Sequence, residues 1–199
     1  MVLRATAAVV SVFALMMTAP AAGAATCDLP RSRTIADDGD GRVYKDRRHH
    51  VVEGCLRSVG RRVRLGRDSD DGFESYSVYR VRLSPPFVAA TISCGCRQQN
   101  RSGPIPRLVV YDLRSGRKVA TVHYPDSDNF TDVVLAPDGA LAWIAGRDGS
   151  YEVARLSPGG EQRVLDARTT SIDPRSLVLG GDGTLYWRRA GMVVSAPLR

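Results

Sequence analysis

The feature that most constrains this chain is a repeat. The segment 135–143 (LAPDGALAW) recurs 44 positions later as 179–187 (LGGDGTLYW), so that Leu, Asp, Gly, Leu and Trp fall in matching places. A hydrophobic strand, an Asp-Gly pair and a second strand make a β-hairpin signature, because glycine takes positive φ without steric cost. Leu83-Ser84-Pro85-Pro86-Phe87, leading into 88–92, is a degenerate third copy. A second hairpin also repeats, as 56–63 (LRSVGRRV), 113–119 (LRSGRKV) and 156–164 (LSPGGEQRV).

Each unit therefore reads as short strands joined by turns, and no window carries a sustained helical period. The first unit is expected to hold strands at 42–47, 51–56 and 62–65, and the second at 78–83, 87–93, 107–113 and 118–124. The third takes 131–135, 141–145, 151–156 and 162–166, and the fourth 176–179, 184–188 and 192–196. Units of four strands with a period of about 40–45 residues are the signature of propeller blades. The expected fold is all-β: a propeller-like array of about four antiparallel blades and about 14 strands. A small closed ring, an open arc and a ring completed by a second copy all stay open. Trp143 and Trp187 are equivalent, which points to packing between blades, with a sugar-stacking platform as the alternative.

The first 25 residues read as a cleaved signal peptide: Arg4, an uncharged apolar run at 5–17, then small residues at 20–25. The run is too short to span a bilayer and no second candidate follows, so the expectation is a secreted or extracytoplasmic protein without a transmembrane segment in its mature chain. Thr26, before Cys27, argues against lipid attachment. Residues 26–41 are expected to form an N-terminal tail ahead of one domain at 42–199. Cys27, Cys55, Cys94 and Cys96 make an even count that favours disulfides in an exported chain, with three pairings open. Cys27 with Cys55 would pin the tail to the first unit. Cys94 and Cys96 would then close on each other, a strained geometry, and a redox dithiol or a zinc site are the rivals.

The segments 136–145 (APDGALAWIA) and 180–187 (GGDGTLYW) resemble the hairpins of bacterial secreted β-propeller repeats, of the Tol-type and WD40-like kind. More narrowly, 55–66 (CLRSVGRRVRLG), 111–119 (YDLRSGRKV) and 173–188 (DPRSLVLGGDGTLYWR) resemble exported proteins of actinobacteria. The resemblance spans 43–198 and implies a propeller. It departs from the Tol type in length, since six blades need about 250 residues at this period, so the Tol role is not carried over.

The formal net charge is +7, and Lys45 and Lys118 are the only lysines among 28 basic residues. Arginine is spread over nearly every segment with Asp in between, whereas a nucleic-acid binder concentrates it on one element with aromatic partners. No nucleic-acid partner is expected. Asp-rich stretches raise calcium at Asp68, Asp70, Asp126 and Asp128, because a hard cation needs clustered oxygens. None completes a calcium loop, and Asp is an ordinary turn former, so the expectation is no cofactor. On the blade reading, 68–75, 125–131 and 168–175 join successive units and emerge on one face with the loops 94–106, 146–150 and 188–191. That face would carry Asp70, Asp71, Asp126, Asp128 and Asp173 beside Arg97, Arg101, Arg147 and Arg188, and these are the candidate ligand residues.

Nucleophile-elbow, zincin and phosphate-loop patterns are absent from the sequence. His49 and His50 are expected to open a strand, and His123 to end one on the face of Val119 and Thr121; none has a nucleophile or metal partner at a recognisable spacing. The expected function is binding without catalytic residues, with an envelope protein or a cell-wall polymer as partner. The rivals are a secreted hydrolase or lyase holding a divalent cation at the propeller axis, and a structural half-propeller completed as a homodimer.

Overall fold

The computed structural model describes residues 27–70, 75–94, 105–124 and 129–199. Its strands form four antiparallel sheets that follow one another in chain order. Blade 1 is β1 (Ser32–Asp38), β2 (Gly41–Asp46), β3 (Val51–Leu56) and β4 (Arg61–Arg67). Blade 2 is β5 (Ser69–Asp70), β6 (Ser75–Ser84), β7 (Phe87–Cys94), β8 (Ile105–Asp112) and β9 (Arg117–His123). Blade 3 is β10 (Asn129–Leu135), β11 (Leu141–Arg147), β12 (Ser150–Leu156) and β13 (Gln162–Thr169). Blade 4 has three strands, β14 (Val178–Leu179), β15 (Thr184–Arg189) and β16 (Met192–Pro197).

Every expected strand is present, and two more join them. Ser32–Asp38, expected within a tail, pairs along β2 and completes blade 1. Only Ile35 and Ala36 are apolar in it and most of it is exposed, so it is held by ladder hydrogen bonds rather than by a buried face. The two-residue β5 adds to the edge of β6. His49 and His50 do not open a strand: they sit in the turn before β3, where His49 Nδ1 lies 2.6 Å from Asp46 Oδ2.

Neighbouring blades touch through β1 with β6, β6 with β10 and β10 with β14, while among the described residues blade 4 does not pack back on blade 1. The array is thus an open arc. A sheet buried on both faces needs apolar side chains on both, and three clusters supply them. Between blades 1 and 2, Val43, Val52, Leu56, Val63 and Leu65 meet Val88, Ala90 and Leu113. Gly54 makes room there, since a Cβ would lie 2.7 Å from Leu113 Cδ2. Between blades 2 and 3, Leu108, Val110 and Val122 meet Val133 and Trp143. Phe130 lies edge-on to Tyr124 at 5.5 Å and to Trp143 at 6.4 Å. Between blades 3 and 4, Ile144 and Val153 meet Leu177, Leu185 and Trp187. Both tryptophans are buried in these joints, as the repeat implies. The Asp-Gly turn closes as expected: Gly139 has φ +87°, and a side chain there would also strike the Phe87 ring at 3.2 Å.

The outer face of blade 1 is covered by the chain's own N-terminal segment. Cys27 is disulfide-bonded to Cys55, with a Cα separation of 5.6 Å, and Cys27, Cys55 and Tyr44 form a small buried cluster with Leu29 against it. Arg42 is buried beneath this cap and is fully engaged. Its guanidinium donates to Cys27 O at 2.9 Å, Asp28 Oδ1 at 2.8 Å and Thr34 Oγ1 at 2.7 Å, and lies 5.3 Å from the Tyr44 ring centre. Cys94 is also disulfide-bonded, and Cys96 lies outside the described residues. The Cys27–Cys55 bond closes a loop with a sequence separation of 28 residues, which removes unfolded-state entropy worth about 3.6 kcal/mol. The double substitution Cys27→Ser, Cys55→Ser is therefore expected to lower unfolding stability by about that amount. Equilibrium urea unfolding without reductant checks this, and an unchanged midpoint would show that the clasp is idle.

Candidate functional site

Of the loop-face residues expected from sequence, Asp71, Asp126, Asp128, Arg97 and Arg101 lie outside the described residues, and Asp70 is described only as backbone in β5. The structure brings two of the others together. The segment after β13 is zipped to the end of β15, with Asp173 N–H donating to Arg188 O at 3.0 Å and Ala190 N–H to Ser171 O at 2.8 Å. The carboxylate of Asp173 accepts the Arg175 N–H at 3.1 Å, so it shapes its own turn. Arg147 ends β11 in the neighbouring blade. Asp68 pairs with Lys45 at 2.5 Å. Among the described residues no three acidic, histidine or cysteine side chains gather around one point.

Several other described aspartates of the turns are likewise engaged, which follows from the short Asp side chain reaching nearby backbone and hydroxyl donors. Asp40 accepts from Ser58 N–H at 2.8 Å and Ser58 Oγ at 2.7 Å, and Asp182 from Thr184 N–H at 3.0 Å and Thr184 Oγ1 at 2.9 Å. These hydrogen bonds lower both carboxyl pKa values, as the Arg57 guanidinium does for Asp37 and His49 for Asp46. A carboxylate whose folded pKa is depressed stabilises the fold above its unfolded pKa, and that contribution is lost as pH falls through the folded value. The melting temperature is expected to hold near neutrality and to drop as pH is lowered below about 4. A thermal-melt series from neutral to acid pH checks this, and the Asp40→Asn, Asp182→Asn variant should lose less on acidification.

Three clefts in the described structure separate by chemistry. The first, about 560 Å³, lies between the Asp-Gly turns of blades 3 and 4; it is walled largely by Gly180, Gly181 and Gly183, and its Arg199 pairs with Asp138 at 2.7 Å. A second, about 200 Å³, follows the edge of β16, where Arg155 donates to Pro197 O at 2.9 Å. The third, about 180 Å³, opens on the side of blade 2 that faces blade 1 and is lined by Tyr76, Ile92, Cys94, Arg107, Val109, Tyr111, Lys118 and Thr121.

This third cleft is built by the β8–β9 hairpin. Strand alternation turns Arg107, Val109 and Tyr111 to one face, and cross-strand pairing sets His123 opposite Arg107, Thr121 opposite Val109 and Lys118 opposite Tyr111. A bulge at this last step displaces Val119, so His123 shares its face with Thr121 and Lys118 and not with Val119 as expected. Ile92 and Val109 provide an apolar floor. Burial raises the Tyr111 pKa, so the phenol stays protonated and its hydroxyl donates to Leu65 O of blade 1 at 3.3 Å, fixing the cleft wall. Arg107, Lys118 and His123 are exposed, have no hydrogen-bond or ion-pair partner among the described residues, and no described lining residue is acidic. Cations lining a cleft with an apolar floor and an adjacent hydroxyl suit an anionic group. The sequence carried the signal as alternation in 107–111 and 118–123, but the bulge hides which residues share a face.

No family model matches the chain. No curated protein sequence matches it either. Several solved β-propeller structures are similar in shape. Virginiamycin B lyase from Staphylococcus aureus matches with a TM-score of 0.38 and 10% identity over 82% of this chain and 68% of that one. A streptogramin B lyase gives 0.36 and 12% over 83% and 68%, and a nidogen/laminin complex gives 0.38 and 16% over 80% and 56%. These likenesses say nothing about ligand or activity.

Proposed function

We propose that this chain is an exported binding protein of the cell envelope or its medium, and that it takes an anionic group of an envelope partner in the cleft on the blade-1 side of blade 2. The observation that carries this reading is the pair of cations, Arg107 and Lys118, lining one cleft with no acidic side chain among its described lining residues. Exposed cations in water cost little, and a bound anion adds charge-assisted hydrogen bonds worth about 1.5–3 kcal/mol each. Thr121 adds a hydroxyl beside them. The disulfide between Cys27 and Cys55 fits an oxidising compartment, and the leader-like first 25 residues agree with export. The cleft takes the place of the aspartate-bearing loops as the centre of the binding reading, because of the described loop aspartates Asp173 shapes its own turn and Asp68 pairs with Lys45.

The protein is expected to co-sediment with purified bacterial cell-wall material at low salt and to be released as salt rises, since exposed charge contacts are screened. The Arg107→Gln, Lys118→Gln variant is expected to bind roughly 10–100-fold more weakly while melting at the same temperature. Retention that is indifferent to salt and to these substitutions would sink the reading.

A further inference from the structure

The Asp-Gly turns of blades 3 and 4 have the same backbone. Ala136 N–H donates to Ala140 O at 2.8 Å and Gly139 N–H to Ala136 O at 3.0 Å; Gly180 N–H donates to Thr184 O at 2.8 Å and Gly183 N–H to Gly180 O at 3.0 Å. Gly139 and Gly183 are both left-handed, with φ +87° and +81°. What covers the two glycines differs. The Phe87 ring of blade 2 lies over Gly139, with Cε1 and Cζ each 3.2 Å from where a Cβ would stand, whereas that point at Gly183 has nothing within 4 Å. The place of Phe87 is held in blade 3 by Ala140: Phe87 faces Ser84 one step before the pair Leu83 and Val88, and Ala140 faces Ala136 one step before Leu135 and Leu141. Gly41 holds that place in blade 1, opposite Asp38. There the turn of the next blade fills the gap, since Pro85 Cγ and Leu83 Cδ1 lie 2.9 and 3.0 Å from the Cβ position of Gly41. In blade 4 the residue matching Pro85 and Pro137 is Gly181, and its Cβ position also has nothing within 4 Å.

At the joint between blades 3 and 4 small residues therefore face one another, and the cleft of about 560 Å³ opens there. Packed interiors leave few spaces larger than a water molecule, and a cleft of this size is in the range of small-molecule sites. Ala136, Pro137, Leu179, Pro197 and Leu198 give it an apolar wall. Leu198 N–H donates to Gly183 O at 3.0 Å, yet its side chain stays clear of the space over Gly183. The charged groups at the rim are Arg199, paired with Asp138, and Asp182, which accepts from Thr184. That set has no cation to spare for an anion. We propose that this cleft binds a small, neutral aromatic molecule, whose ring lies over Gly183 as the Phe87 ring lies over Gly139. The chemistry of the occupant is read from the side chain that fills the matching space one joint earlier. A glycine lets a flat ring approach the backbone, and the apolar wall buries the rest of its surface. The site lies on a different joint from the anion cleft and does not depend on it.

The experiment titrates the full chain with indole, p-cresol and cyclohexanol and follows binding by NMR. Cyclohexanol is apolar and ring-shaped but not flat. The expected result is saturable binding of indole and p-cresol, at least about tenfold tighter than that of cyclohexanol. Two variants copy the filled joints of the same molecule: Ala140→Phe supplies the ring that Phe87 supplies in blade 2, and Gly181→Pro the ring that Pro85 supplies there. Each is expected to weaken indole binding at least about tenfold and to raise the melting temperature, because filling open apolar space adds contacts. Proline already stands at the matching position 137, so Gly181→Pro gives an answer even where Phe at the buried position 140 disturbs the fold. Loss of binding in either variant, with a melt that shows it folded, supports the site. Absence of saturable binding by indole and p-cresol overturns it, as does cyclohexanol binding equally well or indole affinity unchanged in the folded variants.

Discussion

Sheet-on-sheet packing through the faces of the blades is the interaction on which everything else here depends. A four-stranded sheet buries little alone, and each blade is stable because its neighbours cover it. The joints share one solution, bulky residues set against small ones. Leu113 fits over Gly54, Phe87 over Gly139, and Trp143 and Phe130 share a cluster with Ala89, Ala145 and Ala154. The joint between blades 3 and 4 also contains polarity, but satisfied polarity. Asp166 is buried and accepts from Trp187 Nε1 at 2.9 Å and Arg189 Nη1 at 3.1 Å. Removing that carboxylate would leave an indole N–H orphaned in a dry interface, which is why a buried acid is tolerated here.

An open arc has two terminal faces, and the two are treated differently. On blade 1 the disulfide-anchored N-terminal segment lies over Tyr44 and Cys55, and Arg42 satisfies the backbone and hydroxyl groups under it. That arrangement matches the general need of stacked repeats for a polar or covered end. On blade 4 the equivalent face carries Val178, Tyr186 and Val193, all exposed. The edge of β16 is nonetheless guarded. Pro197 supplies no N–H to an incoming strand, and Arg155 takes its carbonyl.

The parts of the fold legible in the sequence were those set by strictly local chemistry repeated at a fixed spacing. Asp138-Gly139 and Asp182-Gly183 announce their turns because no other residue pair forms them so cheaply, and the shared Trp143 and Trp187 positions announce the joints. Strand β1 was not legible, since its ladder to β2 is a backbone property and its side chains carry almost no apolar alternation. Nor was the turn at His49 and His50, where an Asp46 cap overrides the apparent run into β3. The cleft was hidden for a different reason. Its cations come from residues that read as ordinary solvated strand positions, and only the bulge that displaces Val119 brings Lys118 level with Tyr111.

Successive blades meet at β1, β6, β10 and β14, and β4 meets β6 as well, while the outermost strands β4, β9 and β13 keep many exposed residues. Residues there must tolerate water, and edge strands must also resist pairing with other chains, a job that charged side chains do well. Arg61, Arg62, Arg64 and Arg67 on β4 and Arg117 and Lys118 on β9 are all exposed and meet both demands. Edge protection alone, however, would be served by either sign of charge and on either side of the strand. What it does not explain is the blade-1 side of β8–β9, where cations and the Thr121 hydroxyl stand over the apolar floor of Ile92 and Val109 with no acidic side chain in the described lining. The side chains around that floor have the composition of a site for an anion.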